Sequence, residues 1–249
     1  YAIPQGKSAL EVYRTYEREG VIGARDREYI DYAIGRAREG TRAEEAGVYD
    51  FLRRVLLREG LPEATRERAA RFSMRLQQYT GAVMAKGLED TAFYRYFPLV
   101  SLNEVGGDPR RFGLTVEAFH AANSERRESW PHSLLATSTH DNKRSEDVRA
   151  RISVLSEIPG AWRRRVSLWA RLNEACKRQT DGSLAPSRND EYLLYQTLIG
   201  AWPLEIPNET AHDEFVARIE AYMLKAVREA KQHTSWINRN PAYEEALSG

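Results

Sequence analysis

The sequence predicts a mainly α-helical fold with a few short strands, and three features of the 249 residues support this. Apolar residues recur at helical spacing through much of residues 8–78. Two long helices are predicted at about 160–179 and 209–232, where apolar residues again fall three and four positions apart. Residues 134–139, Leu-Leu-Ala-Thr-Ser-Thr, instead resemble a short strand that ends on polar residues.

The first segment, residues 1–80, is predicted to form three or four packed helices. Its clearest apolar stripe consists of Val48, Phe51, Leu52, Val55 and Leu56. Pro62 stands where a helix can begin, and apolar spacing continues from Ala69 to Tyr79. Because glutamates alternate with the arginines, we interpret the charged face as solvated rather than as a nucleic-acid surface.

In the second segment, residues 81–158, less of the sequence has helical spacing. Val83–Lys86 looks strand-like, residues 91–96 are rich in aromatic side chains, and residues 105–109 predict a glycine turn. A helix capped by Thr115 is expected to follow. Irregular segments of this kind often carry binding residues, although aromatic side chains are more often part of a core.

A polar cluster, residues 140–144 (His-Asp-Asn-Lys-Arg), follows the predicted strand. Ser145 is a suitable N-cap for the next helix, and Glu146 and Asp147 would face the positive end of its dipole. A strand, then titratable groups, then a helix is the arrangement in which α/β barrels present chemistry at strand ends. A capped helix preceded by a solvated loop is the structural alternative.

The third segment, residues 159–249, is predicted to be helical, with the tryptophans in the core. One stripe consists of Trp162, Val166, Trp169 and Leu172, and another of Phe215, Ile219, Tyr222 and Ala226. Asn189, Pro203 and Pro207 are expected to interrupt the helices between these stripes.

Composition excludes several classes of function. The chain has 37 basic and 36 acidic residues, so its balanced charge predicts neither a nucleic-acid partner nor a membrane surface. A single cysteine, Cys176, suits a reducing cytoplasm. There is no apolar run of roughly 18 residues for a membrane span and no glycine-rich phosphate loop, so we expect no membrane association and no nucleotide cofactor.

Three motifs in the second segment resemble the maltooligosyltrehalose synthases, a family within the α-amylase superfamily. They are KGLEDTAFYRY at 86–96, SLNEVGGDP at 101–109 and THDNKRSEDVRAR at 139–151. The resemblance extends from about Tyr13 to the C-terminus. One departure is Asn142, where the family usually has threonine. Because the family is much longer and this sequence begins with Tyr1, the resemblance implies an internal piece whose strands belong to a (β/α)8 barrel in the intact enzyme.

The resemblance also implies a reaction and a role for Asp141. The family moves the terminal α-1,4 bond of a maltooligosaccharide to an α,α-1,1 bond by intramolecular transfer, a (1→4)-α-D-glucan 1-α-D-glucosylmutase reaction of trehalose biosynthesis. Asp141, preceded by His140, matches the carboxylate that stabilises the oxocarbenium-like transition state in the superfamily. The nucleophile and the acid-base carboxylate should precede Tyr1, so the 249-residue chain alone is expected to be inactive.

The substrate implied is a maltooligosaccharide or α-glucan, with a trehalose-releasing hydrolase acting on the product, and no metal or other cofactor. The predicted substrate-binding residues are His140, Lys143, Arg144, Lys86, Glu89, Asp90, Phe93, Tyr94, Arg95 and Tyr96. Polar members of this set would bond to sugar hydroxyls, and the aromatic members would offer flat faces to sugar rings. Ion pairs that only fix the loops are the structural alternative.

Two other classes of function stay open at this point. A metal-dependent phosphohydrolase with a His-Asp dyad could use His120, His132, His140, Asp141 and Asp147 as ligands. Such a dyad would lie within a helix, and the threonine-containing residues 134–139 argue against one there. The other alternative is a helical interaction or scaffold module without chemistry of its own.

Overall fold

The computed structural model describes residues 12–18, 21–39, 46–180, 182–205 and 208–249. Its contacts divide the chain into two compact units, Tyr1–Ala92 and Phe93–Gly249. Both units are built mainly from α-helices, which confirms the predicted fold class. The predicted division into residues 1–80, 81–158 and 159–249 refers to roles in a larger enzyme, and it stays a prediction.

The first unit contains α1 (Ala24–Arg38), α2 (Ala46–Leu57) and α3 (Glu63–Met84). The third helix begins directly after Pro62, as predicted. It continues into a π-helical turn, Ala85–Glu89, so the prediction of a strand at Val83–Lys86 is wrong. The N–H of Ala85 still bonds to the carbonyls of Gly81 and Ala82, and a run of four residues is too short for its periodicity to reveal this.

Ion pairs join the elements of the first unit around a small core. The guanidinium of Arg53 binds Asp31 of α1 at 2.7 Å and Glu59, just beyond α2, also at 2.7 Å. Ile30, Val55 and Ala69 are buried in the same unit. Residues 12–18 are not helical, contrary to the helical pattern predicted from residue 8. Residues 8–11, 19–20 and 40–45 of that pattern lie outside the described residues.

The second unit contains six helices among its described residues and a two-stranded antiparallel hairpin. The helices are α4 (Val116–Ser129), α5 (Glu146–Ser153), α6 (Pro159–Leu172), α7 (Arg188–Ala201), α8 (Glu209–Ala230) and α9 (Pro241–Ser248). The strands β1 (Arg178–Thr180) and β2 (Ser183–Ala185) pair with Gln179 opposite Leu184. No helix in the described ranges is both long and apolar enough to span a membrane.

The core of the second unit lies where α5, α7 and α8 meet. It includes Phe97, Val100, Ile152, Leu193 and Met223. Gln196 of α7 is fully buried and joins the chain before α4 to this core. Its side-chain oxygen accepts from the N–H of Val100 at 2.8 Å, and its amide group donates to the carbonyl of Phe97 at 3.2 Å. The segment around residues 97–100 is therefore fixed onto α7 by buried hydrogen bonds.

Local sequence signals account for most of these elements. The hydroxyl of Thr115 accepts from the N–H of Ala118 at 3.1 Å, which confirms the predicted cap of α4. In the α8 stripe, Phe215 and Ala226 are buried, as expected for core residues. In the α6 stripe, Trp162 packs against the core, whereas Leu172 is exposed.

Three other predictions require correction. The helix predicted at 160–179 ends at Leu172, because a 3-10 turn and then β1 follow. Asn189, expected to interrupt structure, lies in the first turn of α7, which Ser187 caps by accepting from the N–H of Asp190. Residues 134–139 have no strand partner among the described residues, so the predicted strand is an extended segment whose backbone groups are not paired in a sheet.

Candidate functional site

The polar cluster, residues 140–144, lies on the surface between the extended segment and α5. The imidazole Nε2 of His140 is 3.6 Å from a carboxylate oxygen of Asp141, and their side chains are 91% and 75% exposed. Leu134 and Leu135 of the preceding segment are exposed as well. The His140-Asp141 dyad is therefore exposed to solvent in this chain, and so are the apolar side chains that precede it.

The loop that carries the dyad is closed by its own hydrogen bonds. The carbonyl of Thr139 accepts from the N–H of Asn142 at 3.3 Å, and the side-chain oxygen of Asn142 accepts from the N–H of Thr139. The hydroxyl of Thr139 accepts from the N–H of Asp141 at 3.3 Å. Asn142 thus supplies a reciprocal bond that holds Asp141 within a tight turn.

The start of α5 differs in one detail from the prediction. Ser145 occupies the N-cap position with an extended backbone, but its side chain makes no capping bond. Instead the hydroxyl of Ser138 accepts from the N–H of Glu146 at 3.0 Å. The capping bond therefore comes from Ser138 in the extended segment, and it links the chain before the dyad to α5, which follows the dyad.

Glu104, in the second motif, binds the other side of the loop. One carboxylate oxygen accepts from the N–H of Lys143 at 2.7 Å and from the N–H of Val105 at 2.8 Å. The other oxygen accepts from the N–H of Arg144 at 3.2 Å and lies 3.8 Å from the guanidinium of Arg149. Burial opposes the charged form, but the N–H groups of Lys143, Val105 and Arg144, together with the side-chain amide of Asn142, prevail and hold the pKa of Glu104 below its ordinary value.

Asn103, the neighbour of Glu104, binds the aromatic motif. Its buried side-chain amide donates to the carbonyls of Phe93 and Tyr96, at 2.8 Å each. Asn103 therefore binds the aromatic motif, and its neighbour Glu104 binds the loop that carries the dyad. The bonded residues of both predicted binding segments lie in the second unit. Neither Asn103 nor Glu104 is among the predicted site residues, although their place at the start of the turn that contains Gly106 and Gly107 was the signal that could have identified them.

Arg144 and Lys143, the two basic residues at the end of the cluster, make different contacts. The Arg144 guanidinium donates to the hydroxyl of Tyr222 at 2.5 Å and to the carbonyl of Val100 at 3.5 Å, so it turns towards α8. An open cavity of about 470 Å³ lies beside it, lined by Lys143 together with Arg151, Trp202 and Arg218. Arg144 is thus engaged in packing, whereas Lys143 is bound through its backbone.

In the aromatic motif, only Tyr96 presents an exposed ring, with 52% of the residue accessible. Phe93 and Tyr94 are both buried in the second unit, so their faces are covered by protein rather than open to a sugar. Arg95 donates to the carbonyls of Ala230 and Lys231 at the end of α8. A cation there satisfies carbonyls that the helix leaves unpaired.

The remaining predicted residues belong to the first unit. Lys86 forms an ion pair with Asp90, with 2.7 Å between Nζ and the carboxylate oxygen. Glu89 is buried and accepts a hydrogen bond from the hydroxyl of Tyr13. The structure therefore brings Lys86, Glu89 and Asp90 together on the turn that ends α3.

The ligands considered for a metal centre do not converge. His120, His132, His140 and Asp147 are all exposed. Across the described part of the chain, no three histidine, cysteine, aspartate or glutamate side chains are grouped so that they could hold a metal ion. The geometry gives no support to a phosphohydrolase centre.

Comparisons with known proteins point to one family. No protein-family model matches the sequence. The chain is 45% identical over 177 residues to a proposed maltooligosyl trehalose synthase of Mycobacterium tuberculosis, a match that covers 71% of this chain. It is also similar to the solved structure of maltooligosyltrehalose synthase from Arthrobacter ramosus, with 39% identity, a TM-score of 0.75 and 96% of this chain covered. A hypothetical maltooligosyl trehalose synthase of Sulfolobus tokodaii gives 37% identity and a TM-score of 0.71.

The matches extend over only part of these relatives. The matched region is 21% of the length of the curated relative from M. tuberculosis. In the A. ramosus and S. tokodaii structures the chain covers 27% and 28% of the length. The chain thus corresponds to about a quarter of each solved enzyme.

Proposed function

We propose that this chain, a homologue of one segment of the maltooligosyltrehalose synthases, forms part of an enzyme that converts maltooligosaccharides into trehalose-ended isomers. The reaction is an intramolecular transfer, in which a terminal α-1,4 bond is replaced by an α,α-1,1 bond. The observation that supports this most is the exposed Asp141, presented on a loop that is fixed on both sides. The sequence and fold similarity to the named synthases supplies the reaction class.

Asp141 stabilises the positive charge that develops at the anomeric carbon when the glycosidic bond breaks. A preorganised carboxylate is suited to this role because its position is set before the reaction, so that no reorganisation is needed in the transition state. His140, with its ring 3.6 Å from that carboxylate, contributes a hydrogen-bonding group at the same edge of the substrate. The nucleophile and the acid-base catalyst come from residues outside 1–249, in the manner of the α-amylase superfamily.

Tyr96 and Lys143 are the further substrate contacts that we propose within the second unit. Tyr96 keeps an exposed ring next to the carbonyl held by Asn103, and a flat apolar face of this kind can stack on a sugar ring. Lys143 has its backbone fixed by Glu104 and reaches the open cavity beside the loop. Lys86, Glu89 and Asp90, on the turn that ends α3, stay predicted substrate-binding residues.

The demanding step is the second half of the reaction. The glucose that is cleaved must stay bound, turn and attack through its anomeric hydroxyl before water does. A closed acceptor site achieves this by holding the sugar in place and excluding solvent. The product would then be the substrate of a trehalose-releasing hydrolase, and we place the reaction in the cytoplasm.

An assay of reducing ends tests this function. The longer enzyme that carries this sequence should remove reducing ends from maltopentaose, because both anomeric carbons of an α,α-1,1 bond are blocked. The 249-residue chain alone should leave the number of reducing ends equal to that of a heat-killed control. Hydrolysis would instead increase the number of reducing ends, and that result with the longer enzyme would contradict the proposed transfer.

A further inference from the structure

The carboxylate of Glu104 is the point at which three backbone N–H groups converge. Val105 donates from its own turn, whereas Lys143 and Arg144 donate from the loop that carries Asp141. The side chain of Glu104 is only 14% exposed, so these bonds are largely shielded from water. Consecutive N–H groups that face one anion form a concave site that prefers a negative charge.

The backbone behind this carboxylate is fixed as well. The carbonyl of Glu104 accepts from the N–H of Gly107 at 2.7 Å, which closes the turn that follows it. A Cβ at position 107 would lie 2.8 Å from the carbonyl oxygen of Leu102 and 2.9 Å from that of Glu104. Glycine is therefore required there, and the turn holds Glu104 in one place.

We infer that Glu104 is a positioning residue for Asp141, because it fixes the backbone at Lys143 and Arg144 and so sets the direction of the carboxylate two residues before. On this inference Glu104 does not touch the substrate; it acts through the loop. The anchoring of the loop, by the bonds from Lys143 and Arg144 to Glu104, can be tested without an activity assay. The effect of this anchoring on catalysis rests on the proposed function.

The chemistry of the site demands a carboxylate. A carboxylate offers acceptors at both oxygens, whereas a glutamine amide would direct N–H groups towards one of the backbone donors. Hydrogen bonds to an ionised acceptor are also shorter and stronger than those between neutral groups. The substitution Glu104→Gln keeps the size of the side chain but should release one side of the loop.

Amide hydrogen exchange in the 249-residue chain tests the anchoring. Glu104→Gln should increase the exchange rates of the Lys143 and Arg144 amides at least about tenfold, because loss of the acceptor frees these amides by local opening. Glu191→Gln is the matched control, since Glu191 is also a buried carboxylate but binds Lys177 and Tyr195 instead. It should leave the two loop amides unchanged.

A second variant covers the case in which Glu104→Gln does not fold. Glu104→Asp keeps the charge and withdraws the carboxylate by one methylene, so it should also increase exchange at Lys143 and Arg144, by a smaller factor. If both amides stay as protected as in the wild-type chain in the variant that folds, the anchoring role is refuted.

A double-mutant cycle in the longer enzyme separates positioning from general structural support. Glu104→Gln alone should lower kcat by roughly ten- to a hundredfold, the loss that about 1 Å of misplacement can cause. When Asp141 is already asparagine, the same change should lower kcat by less than about threefold, because the two residues act as a unit. An equal loss in both backgrounds would contradict the inference.

Unchanged activity of Asp141→Asn would instead contradict the proposed function. The exchange rates of the Lys143 and Arg144 amides would still decide whether Glu104 anchors the loop.

Discussion

The contact between α5 and α7 leads to a prediction that can be worked from distances. Gly200 of α7 is buried against α5, and a Cβ there would lie 2.8 Å from side-chain carbons of both Val148 and Ile152. Ile152 is fully buried, so it has no open space into which it can move. Overpacking a core costs typically about 1–3 kcal/mol, whereas replacing glycine by alanine within a helix gains at most about 1 kcal/mol. Gly200→Ala should therefore lower the free energy of unfolding by about 1–2 kcal/mol.

Gly160, in the first turn of α6, is the matched control in the same unit. The nearest atom to a Cβ there would be the Nη1 of Arg164 at 3.7 Å, an ordinary contact with the end of a flexible side chain. Gly160→Ala should thus increase the free energy of unfolding by about 0.4–1 kcal/mol, because it restricts the unfolded chain without a clash.

Urea unfolding followed by tryptophan fluorescence measures both changes. All 5 tryptophans lie in the second unit, so the signal reports on the unit that contains both glycines. The expected result is a lower midpoint for Gly200→Ala and a higher midpoint for Gly160→Ala, with similar slopes. Equal stabilisation by both substitutions would refute the close packing of α5 on α7.

Three further predictions concern the acceptor site, alkaline stability and metal content. Tyr96→Ala in the longer enzyme should increase the ratio of free glucose to trehalose-ended product several-fold, with little change in stability, because Tyr96 is exposed. Phe93→Ala should instead cost roughly 3–5 kcal/mol of stability, the usual loss for a buried phenylalanine. Burial and then its hydrogen bond to Glu191 raise the pKa of Tyr195 to about 12, from about 10 when unfolded. The stabilising contribution of Tyr195 is thus complete below pH 10 and is lost as the pH rises towards 12. Urea midpoints measured across this range should fall less for Tyr195→Phe than for the wild-type chain. Protein purified without chelator should contain no stoichiometric Mn, Fe or Zn by elemental analysis, and one or two ions per chain would favour the phosphohydrolase instead.

Elements with local signals were predictable from the sequence. The N-terminal proline of α3, the threonine cap of α4 and the apolar stripe of α8 each act over one or two turns, so the residues themselves carry the information. The start of α7 also has a local signal, because the hydroxyl of Ser187 caps the helix by accepting from the N–H of Asp190. A single asparagine such as Asn189 is typical of turns, but here it lies within the first helical turn.

The details of the site depend on contacts that sequence spacing does not contain. The helix that follows the dyad was predicted correctly, whereas the strand predicted before the dyad was wrong. Its support by Glu104, 39 residues before Lys143, and the cap supplied by Ser138 arise only from the folded chain. Similarly, Phe93 and Tyr94 have the same sequence character as Tyr96, and only the packing of the second unit distinguishes buried rings from the exposed one.

The most direct test of the central claim is the kinetics of Asp141→Asn in the longer enzyme, measured together with its thermal stability. The account predicts that kcat falls by at least about 10²–10³, the usual loss when one preorganised electrostatic group is removed. The melting temperature should stay nearly unchanged, because the Asp141 side chain is 75% exposed and lies 3.6 Å from a His140 that is itself exposed. A normal kcat accompanied by a large loss of stability would contradict the claim and would make Asp141 a structural residue.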